Sequence, residues 1–423
     1  MAAMPTSQLV SELLVRCLRV DPDGTLIQDL RDLADASWHD LLDDAMKHGV
    51  APLLHHRLQT LKNVGLPPPV SERLRDLYLH NHLRNAAVLE QLDEIASAAA
   101  AHGARLIPLK GAHLAKWVYD EPALRPMLDL DLLVRPSDEL LLRRALVQSG
   151  YEDIRHCDDI DYTKLHHLKP LSKRGGVRVE VHRALAPPDA PFIVDVAAIW
   201  ARATTNHEGT GASLLAPDDV LLHLCAHTAY NDEFRVGLLA FCDIDATVRR
   251  YNDTLDWGRF VTTANADGRS RFAYAALHIT HRLLDTAIPQ PVLTALEHAA
   301  TDEKVIDEAT AYVLGPAEDV PTTVKLLDGA GSTTARLGTI ARSIFPPPDG
   351  LRKTYRLRRG AKAVYLFYLY RPIELMWRRG REVLGILFGT RRAQPSIERE
   401  RRRRMISRWA KEQSGSKSRA GSR

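Results

Sequence analysis

Cysteine is scarce in this 423-residue sequence. Its four cysteines, Cys17, Cys157, Cys225 and Cys242, lie far apart with no C-x-x-C pair. That spacing excludes a disulfide framework and a zinc ribbon and fits a reducing compartment, so a cytoplasmic location is expected. No run of eighteen apolar residues occurs, so a membrane-spanning helix is not expected. The opening "MAAMPTSQLVSELLVRCLRV" has no basic head followed by a continuous apolar stretch; it reads as a short amphipathic helix rather than a secretion signal. There is no G-x-x-x-x-G-K-[ST] and no G-x-S-x-G, which removes a P-loop ATPase and a hydrolase nucleophile elbow from consideration. His223 and His227 stand one helical turn apart, but neither the Glu of H-E-x-x-H nor a nearby third ligand accompanies them. A place lining a cleft, or in a core, is therefore the preferred reading over zinc. No internal repeat is found.

What is present is a globular composition, 45% hydrophobic and 26% charged, on a chain long enough for two or three domains. The net charge of +4 hides an asymmetry. From Leu351 to the end there are 22 Lys/Arg against 5 Asp/Glu, a surplus of 17 positive charges, which leaves the first 350 residues at −13. An acidic body with a basic end bears on partners more than on fold.

The rhythm of the chain divides it into five parts: a helical region (1–103), an α/β core (104–190), a helical domain (191–345), a basic amphipathic helical segment (346–390) and a basic tail, disordered apart from one helix (391–423). In the core, "ARLIPLKG" predicts a short strand ending at Lys110-Gly111, and "AHLAKWVY" a helix. "RPMLDLDLLVRP" predicts a buried strand and "SDELLLRRALVQSG" a helix with Ser137 as N-cap and Gly150 as its stop. "TKLHHLKPLS" and "VRVEVHRAL" follow as strands joined by a hairpin turn at "KRGG".

Two carboxylates in a buried strand demand an explanation, because burying them is costly unless they are paired or bind a cation. Residues i and i+2 of a strand share a face, so Asp129 and Asp131 point one way while Leu128, Leu130, Leu132 and Val134 point the other. So placed, they can bracket one or two Mg²⁺ ions, which join carboxylates to substrate phosphates. Glu180 stands opposite the valines of "VRVEVHRAL" and is a natural third acid, as base or as metal ligand. His182 shares its face and is a candidate to orient it or to touch substrate. Lys110 and Gly111, closing a strand and opening a helix, suit a phosphate, and Arg125 can clamp a polyphosphate. His166 and His167, being adjacent, are expected on opposite faces of a strand. Each feature has a bland counterpart: a wet strand face, an ordinary turn, a solvated glutamate. Their joint order along the chain is what points to a site.

These segments, from "LIPLKGAHLAKWVY" through "LRPMLDLDLLVRP" to "VRVEVHRAL", resemble the uncharacterised nucleotidyltransferase family of the DNA polymerase β-like superfamily. That family shows an LKG-type turn, an R-x-x-x-D-x-D-L-L-V strand and a later E-x-H strand. "LLHLCAH", "VGLLAFCDIDATV" and "LDWGRF" resemble its helical region, so the likeness covers roughly residues 100–285. The resemblance implies an α+β fold, a small mixed sheet flanked by N- and C-terminal helical regions. It also implies a Mg²⁺-dependent enzyme that moves a nucleoside monophosphate from a nucleoside triphosphate, expected to be ATP, to an unknown acceptor with release of pyrophosphate. Asp129, Asp131 and Glu180 would be its catalytic metal ligands, and Lys110, Gly111, Arg125 and His182 its nucleotide-binding residues. Many superfamily members carry a Gly-Ser turn where this chain has Lys110-Gly111. That departure keeps a second reading open: a catalytically inactive binding module recruited by its basic end. The stretch 361–410 would meet an anionic membrane surface, giving peripheral association, or, less favoured, a nucleic acid.

Overall fold

Valines alternating with polar residues over "VRVEVH" build one of five strands in a mixed sheet, and the same period-two grammar builds its neighbour "DLDLLV". The computed structural model describes residues 6–22, 24–61, 63–154, 161–205, 212–297, 301–315, 345–348, 351, 355, 364–372, 374 and 394–412. Cys157 and most of the basic segment expected at 346–390 lie outside the described residues. Residues 1–317 with 408–423 form one compact unit and residues 318–407 another.

In the first unit, five helices come first: α1 (Thr6–Leu18), α2 (Leu26–Arg31), α3 (Asp35–Lys47), α4 (Ala51–Thr60) and the long α5 (Pro68–Ala101). The core follows as β1 (Leu106–Pro108), α6 (Lys110–Trp117), β2 (Asp129–Val134), α7 (Glu139–Gln148), β3 (Glu152–Asp153), β4 (Leu171–Ser172) and β5 (Arg178–His182). The sheet order is β1-β2-β5-β4-β3, with β2 and β5 parallel and the other pairs antiparallel. The chain therefore belongs to the α+β class, a small mixed sheet flanked by helices. After it come α8 (Val196–Arg202), the β6–β7 pair (Thr204–Thr205, Ser213–Leu214), α9 (Pro217–Ala226), a π-helical turn (His227–Asn231), α10 (Leu238–Arg250), α11 (Trp257–Asp267), α12 (Ser270–Leu284), α13 (Gln290–Leu296) and α14 (Glu303–Leu314). The last described helix is α15 (Gln394–Lys411). No helix among the described residues is long and apolar enough to cross a membrane.

The sheet separates two apolar cores. On one face Leu130, Leu132 and Val134 of β2 and Val179 and Val181 of β5 pack with Val88, Leu92 and Ile95 of α5 and Leu142 and Leu146 of α7. On the other, Ile107 and Leu133 join Leu221, Leu222 and Cys225 of α9, Ile244 of α10 and Leu277 of α12. Each such buried side chain contributes about 1.5–3 kcal/mol, so the aliphatic set fixes the strand register. A slip of one residue would turn Asp129 and Asp131 into the α5–α7 core.

Long-range polar contacts fix the segments around the site strands. Gln91 of α5 accepts from Val177 N at 2.9 Å and donates to its carbonyl at 3.1 Å, holding the start of β5. The "KRGG" turn forms as expected, with Gly175 at φ +81° and Gly176 N donating to the Lys173 carbonyl at 3.0 Å. Asn85 of α5 donates to the Arg125 carbonyl at 2.8 Å and so holds the loop that leads into β2. Two local expectations are corrected. Ser137 does not cap α7; its hydroxyl donates to Asp138, which occupies the N-cap position. Leu128 lies outside β2 and is 67% exposed, because the strand begins one residue later.

Candidate active site

Parallel pairing sets Asp129 opposite Arg178, Asp131 opposite Glu180 and Leu133 opposite His182. Since alternate residues share a face, the acids of β2 and the Glu180–His182 pair of β5 emerge on the same side of the sheet. One donor atom each from Asp131, Glu180 and His182 lies within 4.8 Å of the others. Asp131 is almost fully buried, and both its oxygens are engaged: Oδ1 with His182 Nε2 at 2.8 Å and Oδ2 with Lys110 Nζ at 3.0 Å. Burial alone would raise its pKa. The His182 hydrogen bond and the Lys110 ammonium outweigh that and hold the carboxyl far below the usual carboxylate range.

Asp129 sits one step nearer the start of β2 and outside that three-residue cluster. Arg178 ties it to the site, reaching Asp129 Oδ2 at 3.1 Å and Glu180 Oε1 at 3.0 Å. The charge of the carboxylates is thus balanced by Lys110 and Arg178, with His182 hydrogen-bonded to Asp131.

Lys110 opens α6 with φ +39°, a backbone conformation that side-chain-bearing residues adopt at a cost of about 1–2 kcal/mol. Its ammonium is aimed at Asp131, and the preceding Leu109 N is pinned to the Asp131 carbonyl at 2.9 Å. Gly111 has a reason to be glycine besides any approach to a phosphate. A Cβ there would stand 2.5 Å from Arg125 Nη1 and 3.3 Å from Met127 Cγ. Arg125, expected as a polyphosphate clamp, is turned instead to α10. Its Nη2 donates to Asp243 Oδ2 at 3.0 Å and its Nε lies 3.3 Å from both carboxylate oxygens, while the Tyr119 hydroxyl donates to the same carboxylate at 3.0 Å. This is a buried ion pair between the loop before β2 and the helical region, and charge neutralisation within the chain is its physical cause.

Histidines gather beside the acids. The rings of His166 and His167 lie 5.4 and 5.6 Å from that of His182. The expectation that they point to opposite faces is corrected. Their segment makes only an isolated bridge, His167 to His182, before the two-residue β4, so regular strand alternation does not apply. His223 on α9 is 5% exposed and its Nε2 has no hydrogen-bond partner among the described residues. Burial, then His227, Lys110 and His182, depress its pKa well below the ordinary histidine value, against a smaller opposing influence of Asp131. α9 therefore covers the acid-bearing side of the sheet. His227 pairs with Asp232 through Nδ1 at 2.8 Å.

With this geometry in hand, the comparison with known families is decisive. The model of a family described as uncharacterised nucleotidyltransferase matches residues 34–285, more than half of the chain. The chain belongs to the uncharacterised nucleotidyltransferase family. The match takes in α3 to α12, so both the sheet and the helices covering it are parts of the family domain. No curated protein and no solved structure matches the chain. Membership supports nucleotidyl transfer in general, and the buried Asp131–Glu180–His182 set is chemically able to bind a divalent metal. The Asp243 carboxylate that receives Arg125 escaped the sequence reading, although "CDIDATV" carries it; nothing local marks a partner 118 residues away.

Proposed function

We propose that this uncharacterised nucleotidyltransferase moves a nucleoside monophosphate from a nucleoside triphosphate, ATP in the first instance, to an acceptor nucleophile. The acceptor attacks the α-phosphorus, a bond from acceptor to phosphorus forms, the bond to the bridging oxygen of the β-phosphate breaks, and pyrophosphate leaves. The single observation that supports this most is the convergence of acidic side chains from β2 and β5 on one face beside the Lys110 ammonium.

In this reading Asp129, Asp131 and Glu180 hold the cation, Mg²⁺ being the ion suited to carboxylates and phosphates, with room in the donor set for two. A divalent ion at such a site polarises phosphoryl oxygens and offsets charge that develops on them. Lys110, at the start of α6, supplies a full positive charge and a helix N-terminus to the triphosphate, with Gly111 beside it. His182 holds Asp131 in place, lies 3.8 Å from Glu180 Oε2, and in this reading contacts the bound nucleotide. Arg125 acts through structure, locking the loop before β2 to Asp243. Glu180, less enclosed than Asp131, takes the proton of the acceptor.

Incubating the full chain with each labelled nucleoside triphosphate, Mg²⁺ and a panel of acceptors tests the proposal, read by pyrophosphate release and acceptor mass. Replacing Asp129 and Asp131 together by Asn is expected to abolish Mg²⁺-dependent nucleotide binding with an unchanged circular dichroism spectrum. Unchanged binding would sink the proposal. One observation favours the rival reading of a silent module recruited to an anionic membrane surface or, failing that, nucleic acid: both Asp131 oxygens are already engaged within the chain, Oδ2 by the Lys110 ammonium and Oδ1 by His182 Nε2. Nucleotide-independent binding to anionic vesicles, with no pyrophosphate from any triphosphate, would favour it.

A further inference from the structure

The three donors that converge most closely are two carboxylates and an imidazole, not three carboxylates. Mg²⁺ is a hard ion that keeps oxygen ligands and gives up water reluctantly. An imidazole nitrogen is a borderline donor suited to zinc, cobalt, iron and nickel. His182 Nε2 and Asp131 Oδ1 already face one another at 2.8 Å, with Glu180 Oε2 3.8 Å from the same nitrogen. Asp129, the remaining acid of an all-oxygen set, lies outside the cluster and is held by Arg178.

A further buried nitrogen lies on the same side of the sheet. His223 is 95% enclosed and leaves Nε2 without a hydrogen-bond partner among the described residues, on the helix that covers this side of the sheet. An unsatisfied buried polar atom costs about 1–3 kcal/mol, and one that persists calls for a physical account such as strain, a catalytic role, a water or an ion.

We infer that the cation site of this chain includes a nitrogen donor, His182, and that it favours a first-row transition-metal dication of the Zn²⁺ or Co²⁺ kind. The inference rests on the nucleotidyl-transfer reading only for the place of the site; binding of the ion requires no nucleotide. Nearly any protein site binds cobalt or zinc more tightly than magnesium, so preference alone decides nothing. What decides is which residue the preference depends on.

The test uses the full chain, freed of metal with a chelator and titrated calorimetrically with Co²⁺, Zn²⁺ and Mg²⁺ separately. His182→Asn is expected to lose at least tenfold more in Co²⁺ and Zn²⁺ affinity than in Mg²⁺ affinity, because the lost nitrogen donor matters to the metals that accept nitrogen while any loosening of Asp131 weakens all three alike. Asp131→Asn is expected to lose all three. Because either variant can fail to fold, the wild-type protein loaded with Mn²⁺ gives a second readout: electron spin-echo spectra should show coupling to an imidazole nitrogen. Equal losses for Co²⁺ and Mg²⁺ in His182→Asn, or no nitrogen coupling in the wild type, would overturn the inference. Mg²⁺-supported pyrophosphate release alongside either result leaves nucleotidyl transfer standing. Nitrogen-dependent Co²⁺ binding without turnover of any triphosphate leaves the metal site standing and removes the transfer.

Discussion

Asp131 and Glu180 stand directly opposite one another in the parallel pair β2–β5, and Lys110 closes over Asp131 from the start of α6. The acids are thus assembled by strand register, and the balancing charge comes from a separate helix. That separation makes the two contributions measurable one at a time.

Lys110→Ala should act in opposite directions on two ligands. Without the ammonium 3.0 Å from Asp131 Oδ2, a lone divalent ion meets less repulsion and binds several-fold more tightly. The triphosphate, deprived of a positive partner, binds several-fold more weakly. Calorimetry with metal alone and with metal plus a non-hydrolysable triphosphate reads both; a parallel change in the two would contradict the assignment of Lys110.

Arg125 and Asp243 form a buried pair that should be worth more broken than replaced. Arg125→Met or Asp243→Asn alone is expected to destabilise the fold by about 3–5 kcal/mol, since each leaves a partner unpaired. The double variant should recover a large part of that loss. Urea denaturation of the four proteins closes the cycle, and strict additivity would show that the contact carries no coupling.

The reason given for Gly111 makes a conditional prediction. Gly111→Ala should destabilise by about 1–3 kcal/mol, because the new methyl group pushes on a guanidinium that its ion pair prevents from yielding. In the Arg125→Met background the penalty should shrink. A loss of equal size in both backgrounds would move the cause from Arg125 to Met127 or to the backbone.

His113 sets a pH dependence. It is fully buried on α6, and burial lowers its pKa from 6.5 to about 4. Above pH 6.5 the ring is neutral in both states and adds no slope. Between 6.5 and about 4 the unfolded chain binds a proton that the folded chain refuses, so stability falls as pH falls, by up to about 1.4 kcal/mol per pH unit. The His113→Gln variant should show a shallower loss over that window by one proton in denaturation series; identical slopes would refute the assignment.

The parts of the fold that were legible in the sequence are those written in short periods. Alternation in "DLDLLV" and "VRVEVH" gave both site strands, and Gly103 and Gly150, at φ +74° and +86°, follow the ends of α5 and α7 where expected. Ser137 was misread because a serine before a helix resembles a cap whether or not the turn delivers its hydroxyl. The partner of Arg125 was out of reach because pairing across 118 residues is decided by packing. The ring cluster of His166 and His167 depends on irregular backbone that carries no period at all. The site was therefore readable strand by strand, and the reading of His223 as a cleft or core residue agrees with its burial on α9.

The chain returns to its first unit at its far end. Trp409 lies against Phe272, with centroids 5.4 Å apart, and donates to Thr301 at 3.2 Å, while Arg271 donates to the carbonyls of Ala410 and Glu412. The first unit thus takes in residues on both sides of the 318–407 stretch in the sequence. A protease that nicks that stretch once would separate two pieces on a denaturing gel, yet the smaller should stay clasped to the larger through Trp409 and Arg271 and migrate with it under native conditions.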